Sequence, residues 1–221
     1  GRLLDLMNQG HIDLAQIEMV VLDEADRMLD MGFLPHVKRI LSRLPRKRQT
    51  FFFSATMSPT IVDLAKRMLT QPVYVQIQSN SVSVDKIEQK VLFLQRDEKR
   101  TSLRSIVTAD DADKVLVFTR TKRGADVVAR KLDQSGIKTK AIHGNKSQNA
   151  RQHALEAFRK HHVQVLVATD VAARGIDVDG ITHVVNFDIP VDPESYVHRI
   201  GRTGRAGASG IAISFCTENE R

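Results

Sequence analysis

Residues 165–177 read VLVATDVAARGID, which is four apolar residues followed by a mixed segment with two aspartates and one arginine. A short, continuous apolar run of this kind is typical of a strand that is buried on both faces of a sheet. Similar apolar runs recur at residues 19–22, 51–53, 115–118, 184–187 and 211–215. Stretches with apolar residues at helical spacing lie between these runs. Strands and helices therefore alternate, which predicts an α/β fold with parallel sheets.

A change in composition indicates two domains. Residues 78–85 read QSNSVSVD, which is polar and lacks helical periodicity, and we interpret residues 79–88 as a linker. Roughly five strand–helix units follow, enough for a complete domain over residues 89–221. The preceding residues 1–78 contain three strand candidates, at residues 19–23, 50–53 and 73–77. Because so short a segment is small for a domain of this kind, we expect the first domain to be incomplete.

The overall charge favours a polyanionic partner without requiring one. Lysine and arginine number 33 against 26 aspartates and glutamates, a formal net charge of +7.

The only cysteine, Cys216, excludes an internal disulfide framework and fits a reducing compartment. No apolar run approaches the roughly 18 residues of a membrane span, and the first residues have no signal-peptide layout. We therefore expect a cytoplasmic protein without a membrane partner.

The first cluster of candidate functional residues is 20–26, VVLDEAD, an apolar strand that ends in three acids. Carboxylates at the carboxyl end of a parallel strand lie in the crevice where α/β sheets bind ligands. In nucleotide hydrolases, one carboxylate there holds Mg²⁺, commonly through water, and its neighbour orients the attacking water. The alternative is an acidic first turn of the next helix, which the helix dipole favours.

Two further clusters follow. Residues 54–56, SAT, end an apolar run, and taken alone they are explained by a strand end and a hydroxyl cap before the next helix. Residues 198–205, HRIGRTGR, place three arginines and two glycines within eight residues. Glycine lets the backbone approach a phosphate and guanidinium binds phosphate in a bidentate manner, so an anion clamp is favoured over a solvated basic face.

In combination, these clusters resemble a known family. Residues 23–26, 54–56, 168–177 and 198–205 resemble motifs II, III, V and VI of the DEAD-box ATP-dependent RNA helicases, in the family's order and spacing. Residues 117–121 are similar to motif IV, Gln148 with Arg151 to an accessory motif, and Gly1-Arg2 to the element before motif II. The resemblance covers essentially the whole chain. Details at 30–33, DMGF, and 142–148, IHGNKSQ, resemble the bacterial RhlE subgroup.

The resemblance implies a fold and a nucleotide site. The fold is two RecA-like parallel-sheet domains, the first incomplete, and the cofactors are ATP and Mg²⁺. Asp23 would bind Mg²⁺ through water and Glu24 would activate the hydrolytic water. Arg202 and Arg205 resemble the arginine fingers that reach the γ-phosphate, and Asp177 would meet the ribose.

The resemblance also implies coupling and RNA-binding residues. Contacts between the domains would involve five residues, namely Asp26, Ser54, Thr56, His198 and Arg199. The RNA side would comprise Arg2, Arg120, Gly144, Arg151 and Thr169, which contact sugar and phosphate. Such contacts carry little sequence preference and favour RNA over DNA, so the expected partner is single-stranded or short duplex RNA, with protein partners also expected.

The chain lacks two elements of the family pattern. The 221 residues contain no Gly-Lys pair and therefore no phosphate loop, and the family's adenine-reading glutamine element is also missing. We interpret the chain as an N-terminally truncated helicase that cannot hydrolyse ATP by itself, although the parent protein would. Two alternatives stay open: a non-enzymatic module that binds RNA or a protein, and a DNA-directed helicase or translocase.

Overall fold

The computed structural model describes residues 1–30, 32–76, 87–173, 176–205 and 208–220, without the side chain of Asp30. The chain forms two compact units, Gly1–Ile77 and Gln78–Arg221. Residues 79–86 of the predicted linker lie outside the described residues, as do Met31, Ile77, Arg174 and Gly175 of the segments singled out above. None of the described helices is both long and apolar enough to cross a membrane.

Within its described residues, the first unit contains a two-stranded parallel sheet and four helices. Its elements are α1 (Arg2–Asn8), β1 (Met19–Leu22), α2 (Ala25–Asp30), α3 (Leu34–Leu41), β2 (Gln49–Phe52) and α4 (Pro59–Met68). Strands β1 and β2 pair in register from Met19 opposite Gln49 to Leu22 opposite Phe52. Helix α4 begins where the Ser58 hydroxyl accepts a hydrogen bond from the Ile61 amide, with Pro59 at its first position.

Burial in the first unit differs from the sequence-based expectation. Strands β1 and β2 are not buried on both faces, because alternate residues are exposed and these share one face: Met19 and Val21 on β1, and Phe51 on β2. Residues 73–76 of the third strand candidate form no strand, and Val73 and Val75 are exposed. Within the described residues, the sheet has two strands, and residues 73–76 pair with neither of them. The face that carries Met19, Val21 and Phe51 is exposed.

The second unit is a six-stranded sheet within its described residues, with helices on both faces. Its elements are β3 (Ile87–Phe93), α5 (Glu98–Val107), β4 (Val115–Phe118), α6 (Lys122–Gln134), β5 (Thr139–Ile142), α7 (Gln148–Arg159), β6 (Val165–Ala168), α8 (Asp170–Ala173), β7 (His183–Asn186), α9 (Pro193–Ile200), β8 (Gly210–Cys216) and a 3₁₀ helix (Glu218–Glu220). The strand order is β3-β8-β7-β4-β6-β5. Every pairing is parallel, so all six carboxyl ends lie at the same edge.

The core of the second unit explains why its sequence reads as it does. Strands β4, β6 and β7 are buried at every residue, and alternate residues enter two different apolar clusters. Val117 and Val167 pack with helices α5 and α6, whereas Leu116 and Leu166 pack with α7 and α8. This arrangement confirms the predicted parallel α/β fold. Strands β3 and β5 were not predicted. They are the two edge strands of the sheet and carry polar residues, so they lack a continuous apolar run.

A matched pair of substitutions tests this core. Val117 on β4 is fully buried, whereas Val191 is 92% exposed. We expect Val117→Ala to lower the free energy of unfolding of the second unit by about 2–3 kcal/mol, through lost burial and a residual cavity. Val191→Ala removes the same atoms and should change it by less than about 0.5 kcal/mol. Urea unfolding measures both, and equal effects would contradict the assigned core.

Candidate functional site

The acidic segment of the first unit lies next to the Ser-Ala-Thr segment. Parallel pairing continues past the strand ends, because the Phe53 amide donates to the Leu22 carbonyl (2.8 Å) and the Ala25 amide donates to the Phe53 carbonyl (3.1 Å). Residues 23–26, which follow β1, are thereby held beside residues 53–56, which follow β2. The two segments that the sequence analysis singled out in this unit therefore form one site.

Asp26 is the centre of this site. Its carboxylate is buried, and Oδ2 accepts hydrogen bonds from the Thr56 amide (2.7 Å) and the Thr56 hydroxyl (3.1 Å). The Asp26 amide donates to Ser54 Oγ (3.3 Å), whose hydroxyl donates to the Thr56 carbonyl (2.8 Å). Burial raises the pKa of Asp26, but hydrogen bonds from Thr56, Arg27 and Ser54 outweigh it, so the pKa lies below its ordinary value. The carboxylate is therefore ionised at neutral pH.

Asp23 and Glu24 differ from Asp26 because both are exposed. Asp23 Oδ1 accepts a hydrogen bond from the Glu24 amide (2.8 Å), and Glu24 Oε1 lies 3.5 Å from Arg27 Nη1. Glu24 has a φ of 50°, the left-handed region that residues other than glycine seldom adopt. Such backbone strain is concentrated at functional sites, where the surrounding structure maintains it. This conformation therefore marks the exposed segment of Asp23 and Glu24, directly after β1, as a candidate functional site.

The donor set at this site limits which metal it fits. Among the described residues, no group of three or more His, Cys, Asp or Glu side chains is arranged to hold a metal ion. Asp23 and Glu24 each supply an exposed carboxylate with one oxygen that accepts no hydrogen bond from a described residue, and Asp23 is the one predicted to hold the ion. A single carboxylate suits Mg²⁺, which keeps several waters and takes other ligands from substrate phosphates.

In the second unit, three residues predicted to face RNA follow three adjacent strands. Arg120 follows β4, Gly144 follows β5 and Thr169 follows β6. Backbone hydrogen bonds join the strand ends, from the Thr119 amide to the Ala168 carbonyl (2.9 Å) and from the Thr169 amide to the Ile142 carbonyl (3.4 Å). Arg120 and Gly144 are exposed, whereas Thr169 is buried.

The other two residues predicted to face RNA lie elsewhere. Arg151 is in the first turn of α7, where Nη1 donates to Gln148 Oε1 (3.3 Å) and the buried Nε has no hydrogen-bond partner among the described residues. Arg2 begins α1 of the first unit, is exposed, and pairs with Asp5 at 2.7 Å. Beside Gly144, Lys122 Nζ donates to Asn145 Oδ1 at 2.8 Å, a contact that no local sequence pattern predicted.

Arg199 is buried in the second unit. Its guanidinium makes two short contacts to the Asp170 carboxylate (2.6 and 2.7 Å), and donates to Asn186 Oδ1 (3.1 Å) and the Asp188 carbonyl (2.7 Å). It also lies over the Phe118 ring, 5.1 Å from the centroid. These contacts are all within one unit, so the interdomain role given to Arg199 stays a prediction. His198 beside it is partly exposed, 3.7 Å from Glu194.

The residues predicted to bind nucleotide in the second unit lie together. Arg205 Nη1 donates to Asp177 Oδ1 at 3.2 Å, and Arg202 Nη1 donates to the Ile176 carbonyl at 2.8 Å. Asp177 is exposed and Arg205 is partly exposed. The structure therefore brings Asp177, Arg202 and Arg205 into one cluster at the surface of this unit.

Comparison with known proteins identifies the family. A DEAD/DEAH box helicase model matches residues 1–64, and a helicase conserved C-terminal domain model matches residues 98–207. The DEAD-box ATP-dependent RNA helicase CshA of Bacillus subtilis is 46% identical over 221 residues, which are 100% of this chain and 45% of that protein. CshA of Geobacillus kaustophilus is 46% identical over 220 residues, 47% of its length. This chain belongs to the DEAD-box RNA helicase family.

Solved DEAD-box structures share the fold. Saccharomyces cerevisiae Dbp5 bound to RNA and ADP BeF3 has a TM-score of 0.85 and 35% identity, over 98% of this chain and 57% of that chain. A DEAD box protein from Methanococcus jannaschii has a TM-score of 0.58 and 38% identity, over 99% of this chain and 59% of that one. These likenesses confirm the RecA-like α/β fold. The chain spans about half the length of the curated DEAD-box relatives named above.

The lowered pKa of Asp26 predicts a pH dependence. A carboxylate whose folded-state pKa is lowered stabilises the fold above its unfolded pKa of about 3.9, and the contribution is lost as the pH falls through the folded-state pKa. We expect Asp26→Asn to lower the free energy of unfolding of the first unit by about 1–3 kcal/mol at pH 7. This difference from the unsubstituted chain should shrink as the pH falls below about 4.

Denaturant unfolding from pH 7 to pH 3, followed by NMR signals of the first unit, measures the effect. The matched control is Asp23→Asn, which removes an exposed carboxylate from the same segment. A loss for Asp26→Asn that stays constant down to pH 3 would contradict the proposed ionised Asp26.

Proposed function

We propose that this chain is part of an ATP-dependent RNA helicase that couples ATP hydrolysis to RNA duplex unwinding or to remodelling of RNA–protein complexes. The observation that carries the proposal is the hydrogen-bonded cluster of Asp26, Ser54 and Thr56 beside the exposed carboxylates of Asp23 and Glu24. It occurs in a chain of the DEAD-box family, at the carboxyl ends of parallel strands, where α/β sheets bind ligands.

We propose a role in ATP hydrolysis for residues of each unit. Asp23 would hold Mg²⁺ through water, and the ion would neutralise charge on the phosphates. Glu24 orients the attacking water and accepts its proton, a role that suits an exposed carboxylate in a fixed backbone. Arg202 and Arg205 stabilise negative charge on the γ-phosphate, and Asp177 binds the ribose.

The proposed RNA contacts are to the backbone. Arg120 and Gly144, at the carboxyl edge of the second sheet, together with Arg151, Thr169 and Arg2, contact phosphate and sugar. Contacts of this class bind RNA with little sequence preference. The Asp26 cluster and the segment with His198 and Arg199 would transmit the nucleotide state to these contacts.

The 221 residues supply only part of a nucleotide site. They contain no Gly-Lys pair, and the amides and lysine of a phosphate loop are the usual cradle of the β- and γ-phosphates. We therefore propose that this chain alone binds RNA without turning over ATP. The N-terminal truncation and the RhlE subgroup stay predictions, and the relatives compared above are named CshA.

ATP turnover tests the proposal. We expect no RNA-stimulated turnover by the 221-residue chain, and turnover by a version extended at its N-terminus with the phosphate-loop segment of a DEAD-box relative. Glu24→Gln in the extended version should reduce turnover by a factor of at least about 100, since it removes the proton acceptor. Glu18→Gln, on an exposed side chain before β1, is the matched control and should leave turnover unchanged.

The possible outcomes separate the alternatives. Turnover by the short chain that Glu24→Gln abolishes would contradict the assigned need for a phosphate loop. RNA binding without turnover in either version would favour the non-enzymatic module. Stimulation by DNA equal to that by RNA of the same length would favour a DNA-directed enzyme.

A further inference from the structure

The guanidinium of Arg120 is exposed and yet held in place. The side chain is 56% exposed, and Nη2 donates to Glu220 Oε1 (3.1 Å) and to the Ile189 carbonyl (3.4 Å). The Arg120 amide donates to Asp188 Oδ2 at 2.9 Å. Within the described part of the chain, Nε and Nη1 donate no hydrogen bond. The Arg120 guanidinium is therefore held through Nη2, and most of its N–H donors are still available.

Glu220, which holds Arg120, is itself tightly bound. It lies in the 3₁₀ helix after β8, and its side chain is only 13% exposed. Oε2 accepts hydrogen bonds from Lys99 Nζ (2.9 Å) and from the amide (3.1 Å) and hydroxyl (2.8 Å) of Thr217. Burial raises the pKa of Glu220, but these bonds from Lys99 and Thr217 outweigh it, so the pKa lies below its ordinary value. Glu220 is therefore a fixed carboxylate rather than a mobile surface acid.

Lys99 is a buried residue that holds Glu220 in place. Its side chain is 5% exposed, and Nζ donates to the Phe187 carbonyl at 2.8 Å and lies 3.5 Å from Asp188 Oδ1. A buried ammonium needs nearby negative charge, and Glu220 and Asp188 supply it. Glu220 and Asp188 also hold the side chain and the amide of Arg120. One buried lysine therefore organises both acids that fix Arg120.

We propose that Glu220 is a positioning residue for RNA binding, which holds the Arg120 guanidinium in the orientation that meets an RNA phosphate. This inference rests on the proposed RNA-binding function and adds to it a residue 100 positions away from Arg120. An arginine that is already ordered loses less conformational entropy on binding, so its phosphate contact is stronger. Glu220 contacts Lys99 as well as Arg120, so its charge is shared between two cations and is not neutralised by Arg120 alone.

A double-mutant cycle tests the proposal on the full 221-residue chain. The variants are Glu220→Gln, Arg120→Ala and their combination, and the readout is the affinity for a labelled single-stranded oligouridylate at fixed salt. We expect Glu220→Gln to weaken binding about three- to tenfold when Arg120 is present, and to have no further effect in the Arg120→Ala background. Glu218→Gln, an exposed acid in the same 3₁₀ helix, is the matched control and should leave affinity unchanged.

Stability is measured beside affinity to separate positioning from folding. Loss of the Lys99–Glu220 bond should lower the melting temperature equally in both Arg120 backgrounds, whereas the loss of affinity should require Arg120. If Glu220→Gln unfolds the chain, Glu220→Asp keeps the charge, and its smaller loss of affinity should likewise disappear in the Arg120→Ala background.

Each other outcome overturns the inference in a distinguishable way. An equal loss of affinity in both backgrounds would show that Glu220 acts only through general stability. Tighter binding by Glu220→Gln would show that Glu220 blocks Arg120 instead of positioning it. RNA binding that Glu220→Gln leaves unchanged overturns the inference alone, whereas no RNA binding by the unsubstituted chain overturns the proposed function as well.

Discussion

The buried guanidinium of Arg199 is the interaction on which the functional edge of the second unit depends. It joins Asp170, which follows Thr169, to Asn186 and Asp188 at the end of β7, and it lies over Phe118 at the end of β4. Burying a charge is costly unless it is paired and hydrogen-bonded, and here two contacts to one carboxylate and two further acceptors supply that pairing. Because these partners neighbour Arg120 and Thr169, one side chain fixes the relative position of residues proposed to contact RNA.

The first unit uses a similar arrangement with the opposite charge. Asp26 is a buried, ionised carboxylate at the end of β1, and its hydrogen bonds to Thr56 and Ser54 fix the segment after β2. In both units, a buried charge lies at the carboxyl ends of parallel strands. Its hydrogen bonds hold the neighbouring loop segments in place. Exposed groups next to that charge, Glu24 in one unit and Arg120 in the other, are left in a defined geometry with donors or acceptors available.

The sequence predicted the parts of the fold that burial dictates. Strands β4 and β6 are central, so they must be apolar on both faces, and their pattern could be found without a structure. Edge strands β3 and β5 could not, because exposure permits polar residues there. The acidic segment was a site candidate because it follows a buried strand, whereas the Ser-Ala-Thr segment was predicted as part of a site only through its resemblance to a DEAD-box motif. Lys99 and Glu220 were not, since a pair 121 residues apart leaves no local pattern.

Amide chemical shifts test most directly the proposal that the carboxyl edge of the second sheet binds RNA. Titration of the labelled chain with a single-stranded oligouridylate should shift amide signals near Arg120, Gly144 and Thr169, which follow three adjacent strands. Signals at the opposite, amino-terminal edge of this sheet, such as Lys138 and Thr182, should stay unchanged. Shifts centred on that opposite edge, with none at the three strand ends, would contradict the account.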